Sequence, residues 1–284
     1  MNVTKIAGFD FSWSPVTGCN GPDNEACTYC YAKSIAHRFG GYERDGSVTM
    51  ENPYGGLAVL DAPFTTVSKY GRRAKAAFPF GFDLTLHRYR LAEPSRRKTP
   101  TTIFVCTMSD LFHDDVPDEW VAQVFAACRN APQHRYVFLT KNPARYARLE
   151  NEGKLLLGGG IWYGTTVTGG PGGQKPFDRQ GEFNTWVSFE PLLGDVALGE
   201  WPAISWAVIG AMTGVGGKGH EPKKEWAGAI IGKCRDAGIP VLTKDSLLET
   251  MGAGNMLREF PWEALRLGAA MAVSTADAKI AVSA

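Results

Sequence analysis

The chain has 284 residues, 44% hydrophobic and 21% charged, with a formal net charge of +1. This is the composition of an ordinary globular protein with a full core, and it excludes a polycation. Nothing in Met1-Asn2-Val3-Thr4-Lys5 resembles a signal peptide and no apolar run approaches membrane-spanning length, so a cytoplasmic, reducing setting with no membrane partner is expected. A first strand is predicted over about Lys5–Phe11, with Cys19 beyond its C-terminal side. The interval 42–100 breaks the rhythm that follows and reads as an insertion. After residue 100, short apolar runs alternate with helical patterns. Strands are predicted at Thr102–Cys106, Tyr136–Leu139, Ile161–Thr166, Thr185–Phe189, Trp206–Gly210 and Pro240–Thr243. Helices are predicted at 117–130, 143–150 and 223–237, the first with Pro117 in its first turn and the last stopped by Gly238. Continuously apolar strands alternating with helices imply an α/β fold with a parallel sheet. Six or seven such units imply a partial or complete parallel β/α (TIM-like) barrel spanning residues 1–267, followed by a loosely ordered tail, 268–284.

Three cysteines stand out in Cys19-(seven residues)-Cys27-Thr28-Tyr29-Cys30. Three thiolates including a C-x-x-C pair can hold three irons of a [4Fe–4S] cube and leave the fourth iron open to an external ligand. A zinc site would normally use a fourth Cys or His at short spacing, for which His37 is the nearby candidate. Plain structural thiols are the third alternative.

In parallel β/α folds the chemistry gathers at the C-terminal ends of strands. Those ends here are Cys106-Thr107-Met108-Ser109-Asp110, Thr140-Lys141-Asn142, Thr165-Thr166, Ser188-Phe189-Glu190-Pro191, Gly210-Ala211-Met212-Thr213 and Thr243-Lys244-Asp245. Each polar end could simply cap the next helix. Together, Asp110, Lys141, Glu190 and Lys244 are expected to share one rim that takes an amino-acid zwitterion and a ribose. Residues 69–98 carry nine Lys/Arg against two acids, interleaved with aromatics. Arg72, Arg73, Arg96 and Arg97 there, with Lys244, are candidate substrate contacts. Such a mixture suits phosphates and stacked bases, or else a solvated basic face.

The segments Trp13-Ser14-Pro15-Val16-Thr17-Gly18-Cys19, Cys27-Thr28-Tyr29-Cys30-Tyr31-Ala32, Met108 to Pro117, Leu139-Thr140-Lys141-Asn142-Pro143 and Ser188 to Gly194 together resemble a radical-SAM-like family common in phages and prophages. The likeness covers most of residues 10–245 in order. Cys106-Thr107-Met108-Ser109-Asp110 and Thr140-Lys141 more distantly resemble the spore photoproduct lyase branch. The usual cysteine pattern of the superfamily is C-x3-C-x2-C, so the seven-residue gap after Cys19 is a departure.

The resemblance implies a [4Fe–4S] cluster on Cys19, Cys27 and Cys30, and S-adenosylmethionine as cofactor. It places Tyr29 near the adenine, and Ser109 and Lys141 on the cofactor's carboxylate. Asp110, Thr166 and Glu190 are further cofactor-binding candidates, Glu190 through the ribose hydroxyls or as an ion-pair partner of a lysine. Cys106 matches a hydrogen donor only loosely, because Met108 is an extra residue in that strand end. The expected reaction is reductive cleavage of S-adenosylmethionine to a 5′-deoxyadenosyl radical that takes hydrogen from a nucleobase, nucleotide or nucleic acid. The electron would come from a reductase or flavodoxin-type donor. A peptide substrate, or a non-catalytic iron–sulfur or zinc-stabilised nucleic-acid-binding protein, is the alternative.

Overall fold

The computed structural model describes residues 1–19, 30–39, 56–67, 71, 73–170, 176–177, 179–196, 203–213 and 219–262. Cys27, Tyr29, Arg72, part of the expected insertion and the expected tail 268–284 lie outside the described residues. The chain divides into two compact units, Met1–Thr166 with Gln174–Asn184, and Val167–Gly173 with Thr185–Ala284.

In the first unit β1 (Asn2–Val3) pairs antiparallel with β2 (Phe11–Trp13). Then follow β3 (Val16–Thr17), α1 (Tyr31–Phe39), β4 (Leu57–Leu60), β5 (Thr65–Val67), β6 (Arg73–Lys75), β7 (Leu84–His87), α2 (Glu93–Arg96), β8 (Thr102–Val105), α3 (Asp118–Arg129), β9 (Arg135–Thr140), α4 (Pro143–Asn151) and β10 (Ile161–Thr166). Strands β2, β8, β9 and β10 run parallel in that order. Strands β3, β7 and β4 form a small second sheet, and β5 pairs with β6. The second unit holds β11 (Asn184–Phe189), β12 (Ala207–Ile209), α5 (Lys224–Asp236), β13 (Val241–Thr243) and α6 (Leu248–Met251), with β11, β12 and β13 parallel. The architecture is α/β with mostly parallel strands, and in neither unit does the sheet close on itself.

Local sequence explains these elements. β8, around Ile103-Phe104-Val105, and β10, which opens Ile161-Trp162-Tyr163, are buried along their whole length, as inner strands of a parallel sheet are. α3 starts after Pro117 with Asp118 and Glu119 in its first turn, favourable for the helix dipole, and buries Trp120, Val124, Phe125 and Cys128. α4 opens on Pro143. α5 ends where Gly238, at φ +66°, donates to Arg235 O and Ile239 donates to Cys234 O, the two bonds of a Schellman cap.

The first parallel strand begins at Phe11 rather than Lys5. Residues before it turn instead, with Phe9 N–H bonded to Ile6 O. The Asp10 carboxylate accepts from the Thr101 hydroxyl (3.0 Å) and the Thr102 N–H (2.8 Å), so strand register starts only after it. The core of the first unit is rich in rings, with Phe112, Phe125, Phe138, Tyr146, Tyr163, Phe177 and Phe183 in mutual contact. The second unit has its own core around Val187, Phe189, Ile209, Ile230 and Val241. Among the described residues no helix is long and apolar enough to cross a membrane.

Candidate functional site

The end of β8 is chemically loaded. Cys106 leaves the strand at φ +56°, the one non-glycine among the described residues with positive φ. Such a conformation costs a β-carbon-bearing residue energy and is kept only where the surroundings enforce it. Its N–H donates to Trp13 O (2.7 Å) and its carbonyl accepts from Ser109 N–H (3.2 Å), a tight turn that reverses the chain. The Cys106 thiol is buried. Burial is the main cause that pushes its pKa up to about 12, against weaker help to the thiolate from the Val16 backbone and Ser109. It therefore stays protonated at neutral pH. The Ser109 hydroxyl is buried and near that thiol but reaches hydrogen-bond geometry with nothing among the described residues. A buried hydroxyl so placed is open to a water or to a polar ligand atom.

Both described ends of the cysteine-bearing segment are fastened to this same turn. Gly18 N–H donates to Met108 O (3.0 Å) and Cys19 N–H donates to Phe82 O (3.1 Å). Gly18 sits at φ +82°, and a β-carbon there would lie 2.1 Å from Asp83 O, so the approach requires glycine. At the other end, the Tyr31 hydroxyl donates to Thr107 O (2.6 Å), and Cys30 O accepts from Ser34 N–H in the first turn of α1. Cys19 and Cys30 are both half-exposed. Among the described residues no three His, Cys, Asp or Glu side chains gather to hold a metal, a set that does not include Cys27.

A polar network sits behind Cys19. Thr17 Oγ1 lies 2.8 Å from His87 Nε2, His87 Nδ1 lies 3.4 Å from the Tyr89 hydroxyl, and Arg90 Nε donates to that hydroxyl (3.2 Å). Arg90 also donates to Ser14 O (3.0 Å), while Trp13 Nε1 donates to Arg90 O (3.0 Å). His87 is fully buried, and burial, with the Arg90 charge second, lowers its pKa to about 3. It is a neutral bracket for the strand that delivers Cys19. Nothing in the sequence distinguished it from an ordinary core histidine.

Asp110 binds the protein itself. Its carboxylate accepts from the Thr140 hydroxyl (2.7 and 2.9 Å), Phe112 N–H (3.0 Å) and Lys141 N–H (2.9 Å). It ties the end of β8 to the end of β9, and so it positions Ser109 and Lys141 relative to each other. The Lys141 side chain is exposed, with no hydrogen-bond or ion-pair partner among the described residues. Thr165 is level with Thr140 and its hydroxyl accepts from Phe177 N–H (3.0 Å), so Thr166, one step on and buried, closes β10 beside this edge. Arg145, buried on α4, clamps the turn from behind with bonds to His113 O (2.5 Å), Val116 O (2.6 Å) and Asp118 Oδ1 (2.5 Å). Asn142 adds bonds to Phe112 O (3.0 Å) and Asp114 (2.8 Å).

In the second unit Glu190 pairs with Lys244, both half-buried, across the ends of β11 and β13. Of the two roles read from the sequence for Glu190, the ion pair is the one drawn. The Glu190 side chain crosses Gly210, where a β-carbon would stand 2.7 Å from Oε1.

The basic candidates are scattered. Arg73 and Arg96 are exposed, Arg73 on β6 and Arg96 on α2. Arg97 stacks its guanidinium on the Phe11 ring at 4.2 Å, which gives it a packing role at the start of β2. Arg96 and Arg97 precede β8, while Cys106 follows it, so they sit toward the opposite ends of the parallel strands from the turn that carries Ser109.

Fold and site define an α/β protein whose parallel strands end in thiol, hydroxyl, carboxylate and ammonium groups beside a cysteine-bearing segment. The chain belongs to the DUF5131 family, proteins of unknown function, whose model matches residues 3–246. No curated protein and no solved structure matches the chain.

Proposed function

We propose that the protein is a radical enzyme in which Cys19, Cys27 and Cys30 hold a [4Fe–4S] cluster and S-adenosylmethionine lies against the C-terminal ends of β8, β9 and β10. One observation carries this reading. Two separate tethers, Gly18 N–H to Met108 O and Tyr31 Oη to Thr107 O, bring both ends of the cysteine segment to the turn that holds the Ser109 hydroxyl, buried beside the Cys106 thiol. The donor set fits the group, since thiolates suit iron–sulfur clusters and half-exposed cysteines are reachable by iron. When bound, cluster and cofactor supply one-electron reductive cleavage of a carbon–sulfur bond, yielding a 5′-deoxyadenosyl radical.

The chain's own residues orient and protect. The Ser109 hydroxyl and the Lys141 ammonium are suited to bind a carboxylate, one by a hydrogen bond and one by charge. Asp110 positions both through Thr140 and the Lys141 N–H. Cys106, held as a neutral thiol, keeps its proton on sulfur and is suited to hydrogen donation rather than nucleophilic attack. The partial parallel β/α barrel belongs to the same proposal and is supported by the order β2–β8–β9–β10 with its loaded C-terminal ends. The proposed substrate is a nucleobase, nucleotide or nucleic acid, supported by the exposed Arg73 within an aromatic-rich basic stretch.

The test is anaerobic reconstitution. The expected protein is brown, binds iron through all three cysteines, and on reduction converts S-adenosylmethionine to 5′-deoxyadenosine. Colourless, iron-free protein, or stoichiometric zinc, overturns the cluster. Iron without 5′-deoxyadenosine points to the non-catalytic module. Salt-sensitive retention on DNA, weakened in Arg73→Ala, is expected for a nucleic-acid substrate, and its absence removes that substrate class.

A further inference from the structure

The turn after β8 has two flanks, set by the strand order β2–β8–β9. On the β9 flank stand Ser109, Asp110 and Lys141, which the reading above gives to the cofactor. On the β2 flank Ser14 Oγ lies 3.4 Å from Thr107 Oγ1, and the Ser14 carbonyl accepts from Arg90 Nη1 at 3.0 Å. Ser14 thus joins a guanidinium to the residue that follows Cys106. Arg90 Nε–H donates to the Tyr89 hydroxyl (3.2 Å), and Nη2 reaches Ala77 O at 3.5 Å. Trp13 Nε1, bonded to Arg90 O, fixes the backbone beneath.

Arg90 is half-buried, yet every acceptor it meets among the described residues is a neutral oxygen. Arg88, Arg145, Arg148, Arg179, Arg235 and Arg258 each meet a carboxylate instead. Three of the Arg90 N–H groups are engaged, and the rest of its fork of donors is open. A cation drawn partly out of water without a counter-charge is costly, and an anion bound there offsets the cost. At the Cys106 thiol burial dominates, and the Arg90 charge also reaches it. A substrate that takes hydrogen from that thiol has to touch it, and an anionic group on the same substrate can then rest on Arg90. Resting on the radical-enzyme reading above, we propose that Arg90, with the Ser14 and Thr107 hydroxyls beside it, binds a phosphate of the substrate. The substrate is then a nucleotide or a polynucleotide and not a free nucleobase. A planar guanidinium matches paired phosphate oxygens better than an ammonium does, so Arg90 sets specificity as well as affinity.

The experiment compares wild type with Arg90→Gln in anaerobically reconstituted protein. Its probes are a fluorescein-labelled single-stranded DNA, read by anisotropy, and the common deoxynucleoside monophosphates with their matching nucleosides, read by equilibrium dialysis. For a polynucleotide substrate, Arg90→Gln is expected to weaken DNA binding about tenfold. It also flattens the slope of log affinity against log salt by about 0.7, the loss of a single phosphate contact. For a mononucleotide substrate, wild type is expected to hold monophosphates about tenfold tighter than nucleosides, and Arg90→Gln to erase the difference. Wild type that binds no probe, or affinities and salt slopes that the variant leaves unchanged, overturn the contact. Where Arg90→Gln does not fold, wild-type protein carries the test. Inorganic phosphate is expected to slow phenylglyoxal addition at Arg90 about fivefold, read by peptide mass spectrometry, and to spare Arg88, which Asp61 already holds. Equal slowing at both arginines, or at neither, overturns the contact. Unchanged binding alongside 5′-deoxyadenosine formation leaves the radical enzyme standing without this contact. Arg90-dependent binding without 5′-deoxyadenosine keeps the contact and overturns the radical reading.

Discussion

His87 shows how one buried side chain ties stability to pH. Folded, its imidazole takes a proton only near pH 3; unfolded, near 6.5. Between those values the unfolded chain binds more protons than the folded one, so stability falls as the solution is acidified. The full contribution is present above about pH 6.5 and drains away toward pH 3, with a slope of about 1.4 kcal/mol per pH unit. Urea midpoints measured at pH 5 and pH 7 should differ less in His87→Gln than in the wild type. Gly18 makes a second residue-scale prediction. Gly18→Ala combines a left-handed backbone with a clash against Asp83 O and should cost about 3 kcal/mol or more. Gly238→Ala, at φ +66° but in open space, should cost only about 1 kcal/mol by the same denaturation measurement.

At the scale of elements, the turn after β8 and the start of α4 form one interlocked piece. Arg145→Ala would remove a donor from each of three backbone carbonyls and from Asp118, leaving a void where the buried guanidinium stood, and a loss of about 3 kcal/mol is expected from chemical denaturation. Arg145→Lys should not rescue it, because one ammonium cannot reach a fork of acceptors. The strands and helices after residue 100 were legible in the sequence because each is a short apolar run with its own start and stop signals. Thus Ile161–Thr166 was read to the residue, and α5 to within one at each end. Long-range partnerships were not legible. Nothing in the sequence pairs Asp110, read as a cofactor contact, with Thr140 thirty residues on. Nor does it pair Arg97, read as a substrate contact, with the Phe11 ring far back in the chain. The cysteine segment announced itself by spacing alone, whereas the tethers that bring its ends together run through backbone atoms that carry no sequence signature.

For the whole molecule, metal and fold should be linked. If the cysteines close on a cluster only in the folded chain, loading stabilises by mass action. Stripping iron with a chelator under anaerobic conditions should lower the melting temperature by about 5 °C or more in scanning fluorimetry, and leave a Cys19→Ser/Cys30→Ser variant unmoved. The two compact units also interleave along the chain. Residues 167–173 belong to the second unit, and the chain then returns to the first for 174–184. Phe177 and Phe183 ride on that returning stretch and stack on each other within the ring core around Tyr163. A ribosome that has released only the first 166 residues has therefore not yet supplied the pieces that complete the amino-terminal interior. That interior must wait for eighteen more residues to emerge, and a gene cut at the apparent boundary would encode a fragment with a hole in its centre.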